Sequence, residues 1–256
     1  MKKTLSKLLA LALTASLVLS GCGGNAEGGN SEANTQGGQA NAEGSDKKEE
    51  ASSKDEIKDL YIARLATREL ETFNILYTQR AEDGENLTSL VDGLLESNPK
   101  GELVPCIAEE WGSEDGGLTW KFKVREGVKW VDVNGNEKAD CNAQDFATGL
   151  EWVLNFYKND SNNTAMPIEM IKGAKEYYEY TKTLSEDEAK ALTAGEGSKF
   201  REMVGLETPD DHTVVYHCVT EKPYFDSLAS YVALYPMSQG MVDELGGAGA
   251  VKAMNN

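Results

Sequence analysis

Between Leu118 and Arg125 apolar and polar residues alternate without a break. Leu118, Trp120, Phe122 and Val124 fall on one side of the count, and Thr119, Lys121, Lys123 and Arg125 on the other. Successive side chains of a strand point to opposite faces, so a period of two predicts a strand with one buried face and one wet face. Any fold of this chain must therefore contain a sheet with a covered side. Glu126-Gly127 turns the chain into residues 128–133, and Asn134-Gly135-Asn136 is a strong turn signal, so a hairpin or meander is expected there.

Helical periods surround this strand. Leu87, Leu90, Val91, Leu94 and Leu95 recur at helical spacing, after a short strand at Leu60-Tyr61-Ile62-Ala63. Asn142 caps a helix whose apolar stripe is Phe146, Leu150, Val153, Leu154 and Tyr157, with Asp145 favourably placed near the positive helix end. A second helix is expected over residues 168–181. Thr213 to Val219 is β-branched and aromatic enough to be a strand, and after Pro223 the residues Phe225, Leu228, Ala229 and Val232 recur as a helix requires. The fold class is α/β, with mixed α and β elements in a folded part spanning residues 57–256.

The first 22 residues read differently. Lys2, Lys3 and Lys7 make a basic start, residues 8–19 form an apolar run, and Leu19-Ser20-Gly21-Cys22 brings small residues to a cleavage point. The run is too short to span a bilayer stably. The tetrapeptide resembles the lipobox of bacterial lipoproteins, in which the thiol of the last residue takes a diacylglyceryl group; two acyl chains then anchor a protein stably. Residues 23–56 are mostly Gly, Asn, Ser, Gln and Glu, with no apolar residue larger than Ala, and are expected to be a disordered linker with a reach of roughly 30 Å. No later stretch approaches the length of a membrane span. With 43 acidic against 25 basic residues and a formal charge of -18, attraction to nucleic acid or to anionic lipid headgroups is not expected.

The run Leu103-Val104-Pro105-Cys106-Ile107-Ala108-Glu109-Glu110-Trp111, followed by residues 115–130 with Trp120, Arg125-Glu126-Gly127-Val128 and Trp130, resembles the signature of oligopeptide-type (family 5) extracellular solute-binding proteins of ABC transporters. Ala143-Gln144-Asp145-Phe146 looks like the family's next element, and Val91-Asp92-Gly93-Leu94-Leu95 is similar to the helix before the signature. Ile171-Lys172-Gly173-Ala174 and Thr208-Pro209-Asp210-Asp211-His212-Thr213-Val214 fit the oligopeptide-binding branch. The resemblance covers about residues 58 to 245. It departs at Val131-Asp132-Val133-Asn134-Gly135, where this chain has a longer hairpin.

The resemblance implies a periplasmic-binding-protein-like class II fold. It also implies a truncated chain that holds most of the first lobe of a two-lobe receptor, the second lobe being largely absent. The function implied is capture of an oligopeptide between the lobes and delivery to an ABC permease driven by ATPase subunits, outside the cytoplasmic membrane, with no cofactor and no bond broken. The positions that resemble ligand contacts are a loop leading into a helix, Glu82-Asp83-Gly84-Glu85-Asn86, whose carboxylates would meet a peptide ammonium. A solvated acidic loop capping the helix explains the same residues. Two alternatives stay open: the same fold serving another solute, such as a nickel complex or a sugar, and a surface lipoprotein with a structural or adhesive role.

Signs of an enzyme are missing from the motifs. There is no HExxH, GxSxG, phosphate loop or dinucleotide fingerprint. His217 sits in a strand between Tyr216 and Cys218 and reads as a satisfied strand histidine. Cys106, Cys141 and Cys218 have no CxxC spacing and read as buried thiols; zinc held by these three and a histidine is the competing reading.

Overall fold

The computed structural model describes residues 69–253 apart from residues 79, 160 and 161. Cys22, the linker at 23–56 and the strand expected at 60–63 lie outside the described residues. The chain first forms α1 (Ala81–Leu87), then a two-stranded hairpin of β1 (Leu95–Ser97) and β2 (Leu103–Pro105). β3 (Ala108–Gly112) and β4 (Thr119–Val124) follow, and β5 (Lys129–Val131) pairs with β6 (Glu137–Asp140) in a ribbon of its own. Next come the helices α2 (Ala143–Leu154), α3 (Ala165–Met170), α4 (Ala174–Lys182), α5 (Glu186–Lys190) and α6 (Lys199–Met203). The strands β7 (Leu206–Asp210) and β8 (Thr213–His217) precede the short helices α7 (Phe225–Leu228), α8 (Gln239–Glu244) and α9 (Ala248–Ala253). Among the described residues no helix is long and apolar enough to cross a membrane.

The central sheet has the order β3-β4-β8-β7, with every pair antiparallel. β4 behaves as its alternation requires: Trp120, Phe122 and Val124 are buried while Lys121 and Lys123 are exposed. Leu118 lies just before the strand and is 40% exposed, so the buried period starts at Trp120. Trp120 pairs with Tyr216 and Phe122 with Val214, which extends the apolar face across to β8. The Phe122 and Tyr216 rings meet edge to face at 6.0 Å, and Phe225 closes on Tyr216 at 5.3 Å. Helix α2 covers this face with Phe146, Ala147, Leu150 and Leu154, all fully buried. Burying each Phe or Leu here contributes about 1.5–3 kcal/mol.

Helix α2 begins where the sequence places it. Asn142 Oδ1 accepts from Gln144 N at 2.9 Å, and the Asp145 carboxylate accepts from Asn142 N at 3.2 Å, so the cap is reciprocal. It ends at Leu154, which leaves Tyr157 beyond the helix. The β5–β6 hairpin also forms, its turn held by Asp132 Oδ1, which accepts from Asn134 N and Asn136 N at 2.8 and 3.0 Å. β8 stops at His217, two residues short of the expected strand.

Three helical expectations are corrected. The period from Leu87 to Leu95 is not one helix: α1 stops at Leu87, Leu90 is 68% exposed, and Leu95 opens β1. The backbone at 93–94 is recruited by the start of β3 instead. Ile107 N donates to Gly93 O, and Cys106 N and Ala108 N donate to Leu94 O. Gly93 lies so close under Tyr235 that a Cβ there would sit 2.4 Å from the ring. The helix expected at 168–181 is two helices, α3 and α4, broken at Ile171–Gly173. Lys172 N donates to His217 O and Lys172 O accepts from Gly205 N, a sheet-like exchange that takes the backbone out of the helix. After Pro223 the chain makes only the single turn of α7 and then a 3-10 turn at Val232–Leu234.

Candidate functional site

The five residues singled out as ligand contacts lie in α1 itself rather than in a loop leading to a helix. Asp83 is fully buried. Its Oδ1 accepts from Glu71 N at 3.1 Å and its Oδ2 from Thr78 Oγ1 at 2.8 Å, so it ties the preceding segment to the helix. Arg80 reaches Glu71 at 2.8 Å and Glu82 at 4.0 Å, and the hydrogen bond to Glu71 raises its pKa further. Asn86 Nδ2 donates to Glu82 O at 2.8 Å, while Gly84 O accepts from the Thr88 backbone and hydroxyl. Glu85 is exposed and Glu82 half-buried. Glu82 and Asp83 lie in the first turn of α1, where negative charge suits the positive helix end.

The open face of the central sheet forms a groove of about 1370 Å³. Lys121, Lys123 and Arg125 run along its floor, with Glu109 and Glu110 on one side and Asp210 and His212 on the other. Glu109 meets Lys123 at 2.5 Å; this pairing lowers the carboxyl pKa and raises that of the ammonium. Hydrogen bonds from His212 N and Thr213 Oγ1 hold Asp210 below the usual carboxylate range. Mixed charge on a wet sheet face is suited to recognition by ion pairs. The sequence pattern had shown Lys121, Lys123 and Arg125 only as the exposed side of a strand, because the groove arises from neighbours on β3, β7 and β8.

The residues that carry the family resemblance serve mainly to build this scaffold. Trp120 Nε1 donates to Lys222 O at 3.1 Å, and Trp130 Nε1 donates to Asp145 Oδ2 at 2.8 Å, which pins the β5–β6 hairpin to the start of α2. Burial raises the Asp145 carboxyl, and bonds from Trp130, Asn142 and Cys141 oppose that shift. Cys141 and Cys218 are buried and Cys106 is half-buried, all three as free thiols. Desolvation pushes Cys106 and Cys218 up to about 11 and Cys141 up as well, so none is a ready thiolate at neutral pH. His217 has partners for both ring nitrogens: Glu207 Oε1 at 2.8 Å and Thr119 Oγ1 at 3.3 Å. Among the described residues no group of three or more His, Cys, Asp or Glu side chains is placed to hold a metal ion.

Comparison with known proteins gives consistent matches. Residues 102–253 match the family described as bacterial extracellular solute-binding proteins, family 5 Middle. The oligopeptide-binding protein SarA of Streptococcus gordonii is 31% identical over 176 residues, covering 69% of this chain and 24% of SarA. The oligopeptide-binding protein AliB of Streptococcus pneumoniae is 30% identical over 177 residues, covering 68% of this chain and 24% of AliB. Among solved structures, Haemophilus influenzae OppA in complex with RPPGFSPFR superposes with a TM-score of 0.54 at 24% identity, over 69% of this chain and 30% of that one. The unliganded open form of the murein tripeptide-binding protein MppA superposes with a TM-score of 0.54 at 22% identity, over 68% and 29%. These two share the fold. The chain therefore spans about a quarter of the length of the relatives it matches and carries their mixed α/β architecture over that part.

Proposed function

The chain belongs to the bacterial extracellular solute-binding proteins of family 5, and from that premise we propose that it serves an ABC importer by binding oligopeptides outside the cytoplasm. The observation that carries this reading is the match of residues 102–253 to the family, joined by relatives whose names state oligopeptide binding. In this reading the described residues supply one wall of a cleft, and a facing wall buries the rest of the peptide. Glu82 and Glu85 on α1 meet the peptide ammonium, Gly84 and Asn86 lie between and beside them, and Asp83 keeps the helix in place. The closed, loaded receptor then docks on permease subunits coupled to an ATPase. Cys22 carries the lipid that holds the protein at the membrane, and residues 23–56 are the tether.

The test is nutritional. In a bacterium that carries this gene and requires one amino acid, disrupting the gene abolishes growth on a peptide containing that amino acid. Growth on the free amino acid is unchanged. Equal growth of the disrupted and parent strains across a panel of peptides refutes the proposal.

A further inference from the structure

Beneath α2 lies a cavity of about 160 Å³ that shares no lining residue with the sheet groove. Thr148, Glu151 and Trp152 reach it from one face of α2, being three and four residues apart. Lys158 and, from α8, Gln239 and Val242 complete the part of the wall that matters here. The four groups nearest the helix are almost wholly buried: Thr148 is 4% exposed, Glu151 1%, Trp152 2% and Lys158 3%.

The hydrogen-bond account of this wall is uneven. Glu151 is well supplied: Oε2 takes Lys158 Nζ at 2.6 Å, and Oε1 takes Asn155 Nδ2 at 2.9 Å and Tyr177 OH at 2.8 Å. Lys158 Nζ also donates to Leu192 O at 2.5 Å, which uses two of its three donors. Trp152 Nε1 is buried with no partner. Gln239 directs its Nε2 to Asp243 Oδ1 at 2.8 Å, so its carbonyl oxygen remains an acceptor. Donors thus outnumber the acceptors offered to them at the buried end, and a buried N–H without an acceptor carries its full desolvation cost.

We propose that this cavity binds a compact, uncharged amide. The Glu151–Lys158 pair balances its own charge, and the other two charged lining residues are engaged, Lys190 with Glu186 and Asp243 with Gln239, so an added ion would have to compete for a counterion, whereas a neutral guest would not. An amide carbonyl accepts from Trp152 Nε1 and from the remaining N–H of Lys158. Its own N–H groups donate to the Gln239 carbonyl and the Thr148 hydroxyl. The volume holds several water molecules, which matches a guest of a few heavy atoms.

The experiment follows the four tryptophan indole N–H signals of the full chain by NMR during titration with acetamide, and separately with acetate and with methylammonium. The Trp152 signal moves and saturates with acetamide alone. Val242→Phe, which fills the cavity, removes that shift. Trp152→Phe, which deletes the unpartnered donor, weakens acetamide binding at least about fivefold by calorimetry, as loss of a hydrogen bond requires. Having two variants keeps the test decisive if one of them folds poorly. A Trp152 signal that stays still, as it would in a cavity holding water only, overturns the proposal. So does a shift shared by all four indoles without a plateau, or equal saturation by either ion.

Discussion

Trp120 and Lys121 are neighbours in sequence with opposite fates, and the contrast tests the sheet directly. Trp120 is 6% exposed and lies 6.4 Å from the rings of both Phe122 and Phe225, whereas Lys121 faces solvent in the groove. Trp120→Asp places an unpaired carboxylate among those rings and is expected to cost more than about 3 kcal/mol, while Lys121→Asp should stay within about 1 kcal/mol. Urea melts of the two variants are the measurement; equal shifts would show that the two faces had been misassigned. A different residue, Cys22, carries the proposed anchor. Cys22→Ser should abolish labelling by palmitate in cells, because the thiol that takes the diacylglyceryl group is gone and a serine hydroxyl is a far weaker nucleophile. Equal labelling of both forms would refute the anchor.

At the scale of elements, the break between α3 and α4 is the feature most open to a single substitution. Gly173 has φ of 72°, and a Cβ built there would lie 1.8 Å from Met203 O, a backbone atom that cannot swing aside. Gly173→Ala is therefore expected to destabilise the fold by about 1–3 kcal/mol from the positive φ alone, with the clash adding to it. Thermal melts check this; an unchanged midpoint would mean that the helices run on through the break. The expectation of helix over 168–181 holds on both sides of the break, yet residues 168–181 carry no information about Met203, His217 or Gly205, whose backbones decide where the helix stops. The start of α2 is the opposite case, because Asn142, Gln144 and Asp145 contain the whole cap among themselves.

For the whole molecule the decisive quantity is how much of a ligand the described wall can cover. A peptide lying against one wall keeps its other side in water, and an exposed ion pair to Glu82 or Glu85 contributes no more than about 1 kcal/mol. That falls far short of the roughly 8 kcal/mol of micromolar binding. The described residues alone, 69–253, are accordingly expected to show no saturable micromolar binding in calorimetric titration with a mixed peptide library. The oligopeptide-binding protein SarA, of whose length this chain covers 24%, should bind in the same assay. Saturable binding by residues 69–253 would show that one wall suffices.

What the sequence determined by itself was whatever depends on near neighbours along the chain. The alternation of β4, the hairpin turn at Asp132–Asn136 and the reciprocal cap of α2 fall in this class, since each is complete within a few consecutive residues, and the family resemblance is carried by short runs of the same kind. Tertiary structure decided the rest: the turn at Gly93 under Tyr235, the break at Gly173 against Met203, the placing of Asp83 inside the fold, the groove, and the cavity between α2 and α8. These features depend on groups brought together from distant parts of the chain. A hydrophobic period reports that a side chain will be buried but not what will bury it, and a backbone claimed by a distant hydrogen bond leaves no mark on the residues beside it.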